Sequence, residues 1–220
     1  EVRAKSSALV TVIPKAMATG RCEVRPESYA RKVELDAKGR ATGVKYFDRD
    51  KKEIFQRAKA VVVCANGAET PRLLLNSKSN LFPNGLANSS GTVGKYLMFN
   101  GSGSAMGSFE HEVNGYRGLV ATRVVWDLYE VGPKLGLVGG GGFDFRFDAT
   151  PIGFAMQGLP PDTPRWGKEF KRQLAHAYNH TVFCFGHTTS LPVEANSISL
   201  DPAVKDAWGV PAIRMTYEDH

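Results

Sequence analysis

Residues 61–75 read Val-Val-Val-Cys-Ala-Asn-Gly-Ala-Glu-Thr-Pro-Arg-Leu-Leu-Leu, and they constrain the fold more than any other stretch of the chain. The β-branched run Val61, Val62 and Val63 suits a strand buried on both faces, as in a parallel sheet. Asn66-Gly67 breaks it. Thr70 is placed to cap a helix, Pro71 fits the first helical position, and Leu73, Leu74 and Leu75 carry that helix into a core. The stretch is therefore expected to be strand, tight turn and helix start. Such a helix start offers free N–H groups and a positive dipole end to a phosphate or an electron-rich ring edge. A plain βα unit without a ligand has the same signature.

Around it, residues 6–19 have helical spacing, with Leu9, Ile13, Ala16 and Met17 on one side and Gly20 as the stop. Pro14 delays the regular helix, with Thr11 as its cap. Residues 21–26 are a short strand candidate. The runs 29–35, 43–47 and 53–58 alternate, separated by turns at 36–39 and 48–51, and predict an antiparallel meander leading into Val61. Residues 80–91 are a loop rich in Gly, Pro, Asn and Ser. Gly101-Ser-Gly-Ser-Ala-Met-Gly107 puts Met106 at the last glycine position of a dinucleotide loop and has no buried strand before it, so it reads as a flexible or edge-strand segment. Residues 139–142 are four glycines without the Lys-Ser/Thr of a phosphate loop, and read as a loop or bulge. Strand candidates follow at 119–126, 142–147, 152–157, 181–185 and 196–200, with one helix candidate at 165–178. In 143–148, Phe143, Phe145 and Phe147 alternate with Asp144, Arg146 and Asp148, the pattern of a half-buried strand. Strands in succession with one covering helix predict a mostly antiparallel sheet packed on one face.

Three blocks in order resemble a known family. Residues 61–75 are similar to the last strand–turn–helix of the flavin domain in the glucose-methanol-choline (GMC) oxidoreductases. Thr92-Val-Gly94-Lys-Tyr-Leu97-Met-Phe-Asn100 resembles the family's Val-Gly-x-x-Leu-Met run. The stretch from Ser197 through Asp201-Pro, Asp206 and Gly209 to Pro211 resembles the opening of its C-terminal segment. Within the family the chain is most similar to the gluconate dehydrogenase and pyranose oxidase branch. It departs in the turn: many members have Gly five residues before the proline, where this chain has Asn66 followed by Gly67. Asn tolerates positive φ better than most residues, so the turn survives with a shifted glycine.

The resemblance implies an α+β (mixed α/β) fold: part of a Rossmann-like FAD-binding domain with a β-meander, plus a mostly antiparallel-sheet substrate domain. The expected boundaries are 1–99 for the flavin part, 100–195 for the substrate domain, and 196–220 for a segment returning to the flavin domain. FAD is the implied cofactor. Val24 would meet the adenine through its backbone, and Ala65, Asn66 and Gly67 would line the dinucleotide. The implied reaction oxidises CH–OH groups of sugars, aldonic acids or related alcohols by hydride transfer to flavin. The small-molecule partner is then a sugar or alcohol, and an electron-acceptor subunit is also allowed. Neither the Gly-rich βαβ unit that seats a pyrophosphate nor the family's catalytic-His motif occurs in these residues. The chain is accordingly expected to be the middle portion of a larger flavoenzyme, and no catalytic residue is assigned. The alternatives are a subunit completing its flavin site with other chains, and a non-catalytic module binding a carbohydrate or protein.

Composition excludes several classes. Over 220 residues, 42% apolar and 23% charged residues are those of a globular domain. The net charge of +6 is spread along the chain, without a basic run interleaved with aromatics, so nucleic acid is not an expected partner. Cys22, Cys64 and Cys184 are widely spaced, odd in number and without a CxxC, which fits neither a disulfide framework nor a zinc site. His176 and His180 are four apart but lack the HExxH context, so no metal is expected. No apolar run has the length of a membrane span. Location is left open between cytoplasm and periplasm.

Overall fold

A computed structural model of the chain describes residues 6–118, 121–127, 129–130, 132–137 and 139–219. In chain order the elements are α1 (Val12–Ala18), β1 (Tyr29–Leu35), β2 (Ala41–Phe47), β3 (Glu53–Arg57) and α2 (Glu69–Asn76), then β4 (Gly101–Ser108), β5 (Ala121–Val125), β6 (Gly141–Arg146), α3 (Pro151–Gln157), α4 (Gly167–His180), β7 (Thr181–Thr188), β8 (Ser197–Lys205) and β9 (Pro211–Thr216). Helices and antiparallel sheets in one chain make it an α+β protein. The chain divides into two compact units. The first holds residues up to Leu97 together with Val193–Asp219, and the second holds Met98–Pro192.

In the first unit, β1, β2 and β3 form the expected meander. One device turns each hairpin. Asp36 Oδ1 accepts from the N–H groups of Lys38 and Arg40, and Gly39 takes a φ of +78°. Asp48 accepts in the same way from Asp50 and Lys52, with Lys51 at φ +60°. The β8–β9 hairpin repeats it, with Asp206 accepting from Trp208 and Val210 and Gly209 at φ +75°. An Asp with a left-handed residue three positions on satisfies the turn's N–H groups while the chain reverses. Buried Ser77 ties α2 to β1, donating to the Leu73 carbonyl and accepting from Val33 N–H.

Two expectations for this unit are corrected. Residues 60–66 form no ladder, and Val62 is 82% exposed rather than buried. An apolar run becomes a strand only where another backbone pairs with it, and among the described residues none does. Residues 21–26 likewise lie outside any strand. Helix α1 starts after Thr11 as read, but its apolar side is uncovered: Leu9 and Met17 are exposed and no α1 residue is buried.

The second unit is a four-stranded antiparallel sheet in the order β4-β7-β6-β5, so the Gly-Ser run is indeed an edge strand. Its core gathers Phe147, Phe154 and Leu159 with Phe170, Leu174, Tyr178 and Phe183. Residues 152–157 are helical, not extended. Thr150 accepts from Gly153 N–H as an N-cap and Pro151 takes the first turn, a start signal that outweighs the alternation within the run. The alternation in β6 is real, but its burial is inverted. Phe143 and Phe145 are 37% and 47% exposed, and Asp144 between them is 5% exposed. Only Phe147, beyond the strand's end, reaches the core under α3 and α4.

Candidate functional site

Ala65, Asn66 and Gly67 come together in the first unit as the turn entering α2. All three are exposed, and a Cβ added to Gly67 would meet no atom within 4 Å. The corner therefore has the short side chains and open backbone that a bulky cofactor needs. It differs from expectation in its cap. Asn66 Oδ1, not Thr70, accepts from Ala68 and Glu69 N–H, and the Asn66 carbonyl accepts from Thr70 N–H. The first N–H groups of α2 are thus already satisfied, and a free helix N-terminus for phosphate is not what this turn presents. Val24 is 47% exposed in a segment anchored elsewhere: neighbouring Arg25 donates to Gln56 and Tyr46 on the meander.

Behind the corner, α2 is held by Arg72, which is 7% exposed. Its Nε donates to the Pro211 carbonyl at 2.9 Å and its Nη2 to Asp206 at 2.7 Å, while Nη1 pairs with Glu69. The guanidinium lies 5.7 Å from the Tyr29 ring centre, and Tyr29 stacks on Trp208 at 5.1 Å. Burial pushes the Tyr29 phenol up to about 12, partly offset by Arg72. Burial acts to raise Asp206 too, but the N–H groups of Val210 and Trp208, with Arg72, hold it below the ordinary carboxylate range.

The second unit carries a polar cluster that sequence reading passed over. Asp144 on β6 is directly opposite Phe185 on β7, and Gly142 is opposite His187, so all four share one face of the sheet. Arg146 Nε donates to Asp144 Oδ1 at 2.5 Å, and its Nη2 pairs with Oδ2. His187 Nε2 lies 2.7 Å from the same Oδ2. Arg146 also stacks 4.7 Å above Phe185. Paired with Arg146 first, against an opposing effect of burial, and with His187 as well, the Asp144 carboxyl is lowered to about 2. Asp144 and His187 are far apart in sequence and no motif spacing joins them. The one available signal was a carboxylate and a guanidinium two residues apart on the supposedly outward face of a strand.

A lowered acid contributes stability above its unfolded-state value and loses it as pH falls through the folded one. Asp144→Asn should therefore lower the thermal midpoint by about 4 °C at neutral pH. The gap to the unmodified chain should narrow between about pH 4 and pH 2, where the native carboxyl also protonates. Melts recorded from pH 7 to pH 2 check this, and a gap that stays constant throughout would contradict the pairing.

Residues 1–98 match the family model described as GMC oxidoreductase. The chain belongs to the GMC oxidoreductase family. Among curated relatives it is 38% identical over 217 residues to a 2-methyl-1,2-propanediol dehydrogenase of Mycolicibacterium austroafricanum, covering 94% of this chain and 38% of that one. It is 30% identical over 224 residues to the gluconate 2-dehydrogenase flavoprotein of Pantoea cypripedii, covering 97% of this chain and 36% of the relative. The fructose dehydrogenase large subunit of Gluconobacter japonicus is 30% identical over 206 residues, covering 89% and 36%. The chain thus spans little more than a third of the length of these relatives. Among the described residues no helix is long and apolar enough to cross a membrane, and no group of His, Cys, Asp and Glu could hold a metal ion.

Proposed function

We propose that this chain is part of an FAD-dependent oxidoreductase that oxidises a CH–OH group of a sugar, an aldonic acid or a related alcohol. One observation carries the reading: three relatives aligned over most of the chain are all dehydrogenases, and one is named a flavoprotein. In this reading the first unit contributes to a Rossmann-like flavin domain. The second unit is the substrate domain, and residues from about 196 return to the flavin domain. FAD, when bound, supplies the acceptor for the substrate's hydride. Ala65, Asn66 and Gly67 let bare backbone approach the dinucleotide, and Val24 contributes a backbone contact to its adenine. Arg72 and Ser77 keep α2, and so the Asn66 turn, fixed against β1 and the β8–β9 hairpin. One relative is the large subunit of a fructose dehydrogenase, which supports an electron-acceptor subunit as a further partner.

The test uses the full-length polypeptide. It should purify with a flavin absorption spectrum that bleaches anaerobically on addition of a polyol or sugar. Gly67→Leu should reduce flavin occupancy at least about tenfold, a loss of ~1.4 kcal/mol in binding. Its melt without flavin should not move, because the added side chain enters open space. A well-folded, colourless full-length protein, or a Gly67→Leu variant with full flavin content, would overturn the reading.

A further inference from the structure

We infer that Asp144 is a positioning residue that presents His187 and Arg146, beside Trp126, as a binding site for a neutral, hydroxyl-rich ligand on one face of the second unit's sheet. The inference deepens the proposed function by choosing the neutral polyol among its substrate classes. It starts from the buried carboxylate. A low-lying Asp144 only accepts hydrogen bonds, so the His187 nitrogen 2.7 Å away, Nε2, must carry the proton. That choice leaves Nδ1 as a bare acceptor when the ring is neutral, on a side chain that is 39% exposed. Arg146 commits Nε and Nη2 to the same carboxylate, which leaves Nη1 as a donor.

One acceptor and one donor, each held by the same carboxylate, suit a polyol, whose hydroxyls both donate and accept. A carboxylate ligand could use only the donor, and it would meet the Asp144 charge already neutralising Arg146. The cluster therefore selects against an aldonate and for an uncharged polyol.

The surroundings agree. A Cβ at Gly142 would overlap the Trp126 ring, so that ring lies over the Gly142 position, directly across from His187. Trp126 is 55% exposed and, with Asp127, Tyr129 and Glu130, also walls a separate open cleft of about 470 Å³. An aromatic face takes the C–H side of a sugar or polyol while the polar pair takes its hydroxyls. Ser102 on β4 is opposite His187 on the other side of β7 and adds an exposed hydroxyl to the same face.

Saturation-transfer NMR on the full-length protein tests the site with two six-carbon probes, D-sorbitol and D-gluconate. Sorbitol should bind, and gluconate should bind at least about tenfold more weakly. His187→Ala and Asp144→Asn should each weaken sorbitol binding at least about tenfold, with the flavin spectrum unchanged. His187→Gln, whose amide can still donate to Asp144 and present an acceptor, should recover part of the loss. If Asp144→Asn does not fold, His187→Ala decides. Unaltered sorbitol binding in folded His187→Ala, or gluconate binding as tightly as sorbitol, would overturn the inference. A protein that lacks flavin yet shows the predicted sorbitol pattern would overturn the proposed oxidoreductase function while leaving this site standing.

Discussion

Arg72→Ala should destabilise the protein by about 3 kcal/mol, because it leaves the partly buried Asp206 carboxylate without its counter-charge. The guanidinium joins two segments distant in sequence, its own helix α2 and the β8–β9 hairpin, which it meets at the Asp206 turn and at the Pro211 carbonyl that starts β9. It also lies against Tyr29 at the start of β1. Arg72→Lys should recover only a fraction, since one ammonium cannot reproduce the fork that meets Asp206, Val210 and Pro211 together. Chemical denaturation gives the magnitude. Hydrogen exchange gives the location, with the amides of Trp208 and Val210, which Asp206 accepts, losing protection first. A change below about 1 kcal/mol, the usual worth of a surface pair, would show that the network is not holding these segments.

Gly94→Ala should be comparably damaging, at about 3 kcal/mol, for a different reason. Gly94 has a φ of +87°, and a Cβ there would overlap the Ile198 carbonyl oxygen. Its own carbonyl accepts from Ile198 N–H at 2.6 Å, next to the Lys95–Ser197 bridge, and Leu97 N–H donates to Asn196. Alanine must relieve both the backbone strain and the overlap, and it can do so only by breaking this pairing. Gly91 is the internal control. It has a φ of +71° but nothing within 4 Å of a Cβ, so Gly91→Ala should cost only about 1 kcal/mol. Equal effects at the two positions, measured by denaturant midpoint, would show that steric contact with Ile198 contributes nothing.

Local chemistry was legible wherever a few adjacent residues suffice to specify geometry. The meander and its two Asp turns, the loop before Gly94, the edge strand at Gly101 and the helix after Pro164 all follow from short-range rules. The run 152–157 is a helix where a strand is expected, although the deciding signal, Thr150-Pro151, is local. The Asn66 turn lies where the sequence places it, but the capping falls to Asn66 rather than Thr70, because an Asn three residues before a helix satisfies the N–H groups as well as an N-cap does.

The polar cluster on β6 shows where such reading stops. Alternation established that Phe143 and Phe145 share one face and that Asp144 and Arg146 share the other. It could not say which face would be covered, and the hydrophobic prior chose the phenylalanines. Asp144 meets His187 only because β7 pairs beside β6. The two residues are 43 positions apart, and pairwise spacing carries no record of their contact. The amino-acid order thus settled periodicity, turns and family, since those are properties of neighbouring residues and of shared motifs. Which side of each strand is inside, and which charges meet there, was decided only by the packed chain, because burial is a property of whatever other segment arrives to cover a surface.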